Sequence, residues 1–358
     1  MAKNNMSKLA KREEKLAYRL LLPTVLILVL IALYPLGSVF YTSFTDKTFA
    51  GADKETQFIG LENYKELLSI TIKELPPILD ENGKQKIDPK TNEPMYERAI
   101  RILPREPRRY KELNQFTLFG KRYVIGATDP NFISAIWNTL VFTVISVALE
   151  TVLGLAIALV VNSNFKGRGI MRTVMLVPWA VITVVSAKMW EGMLQPNRIG
   201  FFNTVLDKLG IGNGQIAFLT TEGLQLPSII AVDVWKTTPF MALLILAGLQ
   251  LIPDTLYEAA EIDGASKLRQ FFTITLPMLK PTIAVALVFR TLDALRVFDV
   301  FQVLLSSRKY SMATYNYFQL IGNRNMGLAS AIGVIIFIFI SIFAVIYIRM
   351  LGVDTDER

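Results

Sequence analysis

Apolar positions along this chain gather in long unbroken runs and show no strand-like alternation over most of its length. From Leu20 to Phe44, and again from Gly327 to Ile348, no side chain is charged. A bilayer's hydrocarbon core takes about 20 apolar residues as a helix. Six such segments are predicted, over 20–44, 133–161, 170–190, 227–251, 281–303 and 327–350. The first is longer than the apolar part of a secretory signal. It ends in Tyr41-Thr42-Ser43-Phe44 with no small-x-small cleavage pattern, so it reads as a retained anchor.

Composition supports the pattern. Hydrophobic residues make up 52% of 358, with a mean hydropathy of +0.40, more than a soluble core of this length requires. The chain has no Cys and no His. Thiol chemistry, disulfides, zinc sites and the usual general base are thereby excluded, and no acidic cluster points to another metal. A formal charge of +8 is explained by anchoring residues at a membrane surface without invoking nucleic acid.

Charge placement predicts direction. Residues 1–19 carry Lys3, Lys8, Lys11, Arg12, Lys15 and Arg19 against two Glu, which places that segment in the cytosol. Six spans then put the 351–358 tail there too. The 162–169 connection (Lys166, Arg168) and the 252–280 connection (Lys267, Arg269, Lys280) fall on the cytosolic side. Arg198, Lys208, Arg308, Lys309 and Arg324 fall outside, so the bias is partial. Residues 45–132 form a long extracytoplasmic insertion with the composition of a folded appendage. Leu61 to Leu68 has helical spacing, Asp80-Glu81-Asn82-Gly83 reads as a turn, and Phe116 to Ile125 reads as a hairpin about Gly120-Lys121. Pro76, Pro77, Pro89, Pro94, Pro104 and Pro107 exclude long helices between them.

The most informative connection lies between spans four and five. It runs Glu258-Ala259-Ala260, three residues, Gly264, nine residues, then Ile274, Leu276 and Pro277. Asp254 can cap a first helix, and the two alanines leave it thin enough to enter a cleft on another protein. Gly264 permits a turn. Ser266 can cap a second helix, with Leu268, Phe271, Phe272 and Thr275 at helical spacing, and Pro277 would end it.

This spacing resembles the coupling-loop motif of binding-protein-dependent ABC importer permeases. The chain resembles their sugar, maltose-type branch over nearly its whole length. Gly60-Leu61-Glu62-Asn63-Tyr64, Asn138-Thr139-Leu140, Gly167-Arg168-Gly169, Leu176-Val177-Pro178-Trp179, Gly248 to Pro253 and Ile262 to Ser266 carry that resemblance. It implies an all-α membrane protein: six transmembrane helices, a cytosolic helix–turn–helix coupling loop (253–280) within a 133–350 core, and a small extracytoplasmic insertion. It implies a heterodimer with a second permease, two ATP-binding subunits, an extracytoplasmic solute-binding protein and a cell-membrane location. Glu258, Ala259, Ala260, Gly264, Ile274, Leu276 and Pro277 would then meet the ATPase. The chain has no Gly-x4-Gly-Lys-Ser/Thr loop, so ATP would be bound by partners and this subunit would hold no cofactor. Two stretches depart from the branch. Ser306 to Ser311 stands where a Thr-x-Gly-Gly-Pro-like turn is usual, and the insertion over 70–120 is long.

Ionisable residues inside spans mark cavities or internal ion pairs. Span four holds Asp233 and Lys236 with Trp235 between them; span five holds Arg290, Asp293, Arg296 and Asp299, followed by Gln302. These are the candidates for the substrate path, with Asp293 to Gln302 favoured. On one straight helix each step of three turns back about 60°, so Arg290 and Asp299 are expected not to share a pocket. Lys188 and Glu191 read as interfacial anchors. A sugar such as a malto-oligosaccharide suits an aromatic face with planar polar groups. Glycerol phosphate in the same importer class, an ion-coupled secondary transporter and a membrane-embedded enzyme are the alternatives. Paired signs disfavour the first, the second leaves the 258–277 motif without a role, and the lack of His and Cys weakens the third.

Overall fold

The computed structural model describes residues 8–49, 55–80, 83–89, 92–197, 199–211 and 213–350. Lys3, Arg198, the Glu81-Asn82 part of the expected turn and the 351–358 tail lie outside the described residues. Among the described residues, five helices are long and apolar enough to cross a membrane, or six if the bent pair Arg168–Ala180 and Thr183–Met193 is counted as one crossing.

The first crossing starts earlier than its apolar run, because the Lys-, Glu-, Ala- and Leu-rich lead-in is itself helical. Helix α1 (Lys8–Leu28) passes through a π-helical turn, Val29–Leu33, into α2 (Tyr34–Thr42). The π turn closes with Tyr34 N–H on the Val29 carbonyl, immediately before Pro35. Proline has no N–H to give, and the wider turn absorbs the missing bond. The side chains of α1 from Arg12 to Leu28 are exposed, as suits a helix bathed in lipid or covered by another subunit. The end of α2 packs back on the chain, where Phe40 meets Phe337 edge to face at 5.9 Å.

The insertion is folded. It comprises α3 (Glu62–Leu68), β1 (Ile70–Leu75), α4 (Ala99–Ile102), β2 (Lys111–Leu118) and β3 (Lys121–Ala127). The strands form an antiparallel sheet of order β1-β3-β2. Phe119 and Gly120, both at positive φ, make the two-residue turn of the β2–β3 hairpin. That turn lies one residue earlier than the Gly120-Lys121 pair read from sequence. Leu75, Ala99, Leu103 and Val124 form a small apolar core. The Asn63 amide, buried, donates to the carbonyls of Ser43 at 2.8 Å and Thr45 at 2.9 Å, fastening α3 to the end of the first crossing.

The core is a helical bundle. It contains α5 (Pro130–Asn162), α6 (Arg168–Val174), α7 (Val177–Ala180), α8 (Thr183–Met193), α9 (Phe201–Lys208) and α10 (Glu222–Leu249). After these come α11 (Asp254–Ile262), α12 (Lys267–Gln270), α13 (Leu276–Ala294), α14 (Asp299–Leu304), α15 (Met312–Tyr317) and α16 (Met326–Met350). Asp129 caps α5 by accepting from Phe132 N–H at 3.1 Å. Helices α5 and α10 lie close because Gly154 has no side chain: a Cβ there would stand 2.9 Å from that of Met241. Small residues at helix contacts serve packing where lipid removes the hydrophobic drive.

Two crossings depart from straight helices. The 170–190 segment bends by 90° between Ala180 and Thr183. The 281–303 segment ends at Ala294, passes through an irregular stretch and restarts as α14. Pro277, expected to end a helix, lies instead within the continuous Lys267–Ala294 crossing. A second π turn, Phe271–Thr275, closes with Leu276 N–H on the Phe271 carbonyl just before it, the same accommodation as at Pro35.

Candidate functional site

Two groups of residues claim attention, one at each end of the continuous Lys267–Ala294 crossing. The first is the 254–275 segment. Pro253, not Asp254, is the N-cap of α11. Asp254 is the first helical residue, where its carboxylate meets the positive helix end. Gly264 adopts φ +73°, a conformation that costs other residues strain. The Ala265 N–H closes the turn on the Ala260 carbonyl at 2.8 Å. Ser266 caps α12 by accepting from Arg269 N–H. Lys267 pairs with Glu261 and holds its carboxyl below the ordinary carboxylate range. Tyr257 and Thr275 join their hydroxyls at 2.9 Å, tying α11 to the π turn.

The tip so braced is uncovered. No residue of α11 is buried, and Ile262 is 87% exposed. Glu258 and Ala259 are exposed, while Ala260, Ile274 and Leu276 are half-buried. Glu258 lines a cleft of about 650 Å³ with Asp254, Tyr257, Leu268 and Phe271. Pro277 is exposed one turn further on. The segment is a rigid, thin, apolar-tipped projection carrying an acid.

The second group lies among α5, α10 and α13. Arg290 is only 3% exposed. Its guanidinium forks onto Glu150, with Nη2 to Oε1 at 2.9 Å and Nε to Oε2, and Nη2 also reaches Asp233. Nη1 reaches Asp293 Oδ2 at 3.3 Å. Thr237 donates to Glu150 as well. One cation thus ties three crossings through bidentate, charge-assisted bonds. Glu150 was not among the residues singled out from sequence, although it is the single ionisable side chain in Pro130–Asn162. That isolation was the available signal.

The same group borders a cavity of about 590 Å³, lined by Asp233, Lys236, Arg290, Asp293, Arg296 and Asp299 among others. The expectation that Arg290 and Asp299 cannot share a pocket is therefore overturned. It assumed one straight helix, whereas the chain breaks after Ala294 and turns Asp299 back toward the opening. Asp293 and Arg296 stand 60% and 68% exposed at its rim, 3.6 Å apart. Lys236 spans the break in the third crossing, its Nζ donating to the carbonyls of Val181 at 2.6 Å and Trp179 at 3.2 Å. Helix ends leave such carbonyls unpaired, so Lys236 supports the bend.

Trp235 and Gln302 do not line this cavity. Two residues along a helix rotate about 200°, which turns Trp235 away from Asp233 and onto Trp190, edge to face at 5.5 Å. The aromatic lining is Trp179, stacked on Phe240 at 5.9 Å, together with Phe298. Gln302 is half-buried within α14. Lys188 and Glu191 pair with each other at 2.7 Å on α8.

Residues 150–353 match the family model described as "Binding-protein-dependent transport system inner membrane component". The chain belongs to this family. The permease is 36% identical over 357 residues to the trehalose/maltose transport system permease protein MalF of Thermococcus litoralis, covering 98% of both chains. It is 33% identical over 342 residues to the trehalose transport system permease protein SugA of Mycobacterium tuberculosis, covering 95% of this chain and 90% of that protein. Among solved structures, a subunit of a bacterial ABC transporter that imports alginate matches with TM-score 0.68 at 22% identity, covering 98% and 100% of the two chains. That likeness shows a shared fold. The chain is a multi-pass inner-membrane permease subunit of a binding-protein-dependent ABC importer, not an enzyme.

Proposed function

We propose that this permease, paired with a second and different permease, carries a di- or oligosaccharide across the membrane. The energy comes from ATP bound and hydrolysed by two partner subunits, and an extracytoplasmic binding protein delivers the solute to the insertion side. Both termini face the cytosol, as does the α11–α12 projection. Glu258 to Gly264 enters a cleft of an ATPase subunit, with Glu258 facing a basic group there.

One observation carries the coupling. From Lys267, just past the Gly264 turn, the helix runs without a break through the π turn and α13 to Arg290 at the edge of the membrane cavity, and α11 is tied to it by the Tyr257–Thr275 and Glu261–Lys267 contacts. Displacement of the tip by the ATPase therefore reaches the cavity along one rod. The α5, α10 and α13 bundle, locked by Glu150, Arg290 and Asp233, moves with it.

Solute chemistry is supported by the relatives' names and by the cavity's charges. Arg290 is engaged by three carboxylates, Lys236 by two carbonyls and Arg296 by Asp293. A phosphate or other anion would find each of these cations taken. Hydroxyl groups instead find carboxylate acceptors at Asp293 and Asp299 beside the Trp179 ring. The test is ATP-dependent uptake by the complete transporter in proteoliposomes, with trehalose, maltose, maltotriose and glycerol 3-phosphate offered separately. Saccharide uptake is expected, abolished by Glu258→Ala together with loss of ATPase co-purification. Uptake of glycerol 3-phosphate alone would overturn the saccharide reading. Full uptake with no ATPase bound would overturn the coupling.

A further inference from the structure

A second cavity, of about 670 Å³, opens at the insertion end of the bundle, apart from the residues just described. It has three walls. One is a stripe of α5, where Asn131, Ser134 and Trp137 recur every third residue. Another is β2, which contributes both Leu113 and Asn114. Consecutive strand residues ordinarily face opposite ways; here the pairing with β3 is irregular between Glu112 and Asn114, and a bulge re-aims side chains in this manner. The third wall is the Ser307–Tyr310 loop with Glu222 beside it. Both stretches in which the sequence departs from the sugar branch therefore meet here, since the long insertion supplies Asn114 and the unusual Ser306–Ser311 turn supplies Arg308 and Tyr310.

The cavity is built rather than incidental. Asn138 donates to the Tyr310 carbonyl at 3.1 Å, and Met312 N–H donates to the Thr139 hydroxyl at 2.9 Å, so the loop is held against α5. Ser306 takes a positive φ to make the turn. Trp137 is nevertheless 68% exposed, and Arg308 and Glu222 are exposed at the opening.

We infer that this cavity is a saccharide-binding subsite on the extracytoplasmic face, occupied as the solute leaves the binding protein and before it enters the membrane cavity. The inference rests on the saccharide reading above. An open indole face offers a platform for the C–H face of a sugar ring. Asn114, Asn131, Glu222 and Arg308 around it offer both donors and acceptors to hydroxyls. A lipid tail would leave Asn114, Asn131, Glu222, Arg308 and Lys309 without partners. The volume lies within the roughly 300–1,000 Å³ of small-molecule sites. The loop also leads onward: the Ser311 hydroxyl donates to the Val297 carbonyl at 2.7 Å, and Val297 lines the membrane cavity.

The complete transporter in nanodiscs, without binding protein, is titrated with maltotriose and trehalose while indole emission is followed. Trp137→Phe identifies the part of the signal that belongs to Trp137. Trp137→Ala and Asn131→Ala are compared with the unaltered protein for saccharide affinity, for KM and kcat of uptake, and for binding-protein docking by co-sedimentation. The expected result is a saccharide-dependent signal from Trp137, affinity about tenfold weaker in Trp137→Ala, a raised KM, and unchanged docking. A transporter that takes up saccharide but gives no Trp137 signal, with Trp137→Ala of unaltered affinity, overturns the subsite and leaves the function standing. Weakened docking with unaltered saccharide affinity overturns it in favour of a protein contact. A transporter that takes up none of the saccharides overturns both readings.

Discussion

Removing Glu150 tests the central ion network most directly. In Glu150→Ala, Arg290 loses the bidentate carboxylate and keeps Asp233 and the longer 3.3 Å contact to Asp293. Arg290 is 3% exposed, so water cannot replace what is lost. Breaking a buried ion pair from one side costs about 3–5 kcal/mol, a sizeable share of the roughly 5–15 kcal/mol that holds a typical fold. Thr237 loses one acceptor but retains the Asp233 carbonyl at 2.7 Å, adding little. At about 2–4 °C per kcal/mol for a protein of this size class, the melting temperature should fall by roughly 6–20 °C. Glu150→Gln keeps the shape and one acceptor oxygen and should cost less. Arg290→Ala should cost more, because it leaves Glu150 and Asp233 facing each other with no cation between them. Label-free thermal unfolding of the purified transporter in one detergent ranks the three variants. A Glu150→Ala protein melting within about 2 °C of the unaltered one, or Arg290→Ala melting above Glu150→Ala, would mean that the network does not hold the three crossings together.

Three further outcomes follow from single contacts. Gly154→Leu forces side-chain atoms into Met241 and the Ala242 backbone, where even a Cβ stands 2.9 Å and 3.1 Å away; a loss of about 1–3 kcal/mol or more is expected by thermal unfolding. Lys236→Met frees the carbonyls of Trp179 and Val181, at about 1–3 kcal/mol for unsatisfied buried groups; faster hydrogen exchange over 179–185 with little change in α5 is the signature. Glu261 has its carboxyl held below 4.5 by Lys267. Its contribution to the α11–α12 turn is therefore complete above that pH and is lost as pH falls through the lowered value. The protection factors of the Gly264 and Ala265 amides, corrected for the acid slowing of intrinsic exchange, should fall only as pH drops below the ordinary carboxylate range, and Glu261→Gln should remove that dependence.

The sequence is legible where the cause is local. The α11–α12 turn follows from Gly264, which takes its positive φ, and Ser266, which caps, so short-range chemistry suffices. The hairpin at Phe119-Gly120 is legible to within one residue for the same reason. A residue-by-residue rule fails where the backbone around it adjusts or a distant partner intervenes. Pro277 reads as a helix stop by its missing N–H, yet the π turn before it lets the helix continue. Trp235 reads as a cavity aromatic by proximity to Asp233, yet packing against Trp190 assigns it elsewhere, and Trp179 from another crossing takes that place.

That this protein lives in a membrane follows from its amino-acid sequence, because uncharged runs of such length have no stable home in water. So does the projection of the 258–277 segment as a helix–turn–helix, because the caps and the glycine act on their immediate neighbours. The tertiary structure alone decided which intramembrane charges belong together. Glu150, Asp233 and Arg290 come from three separate crossings, and no spacing along one helix brings them within hydrogen-bond reach. It also decided that Asp299 shares a cavity with them, because the break after Ala294 redirects the chain. A buried charge is tolerated only beside its partners, and partners from different helices meet only once the bundle has packed.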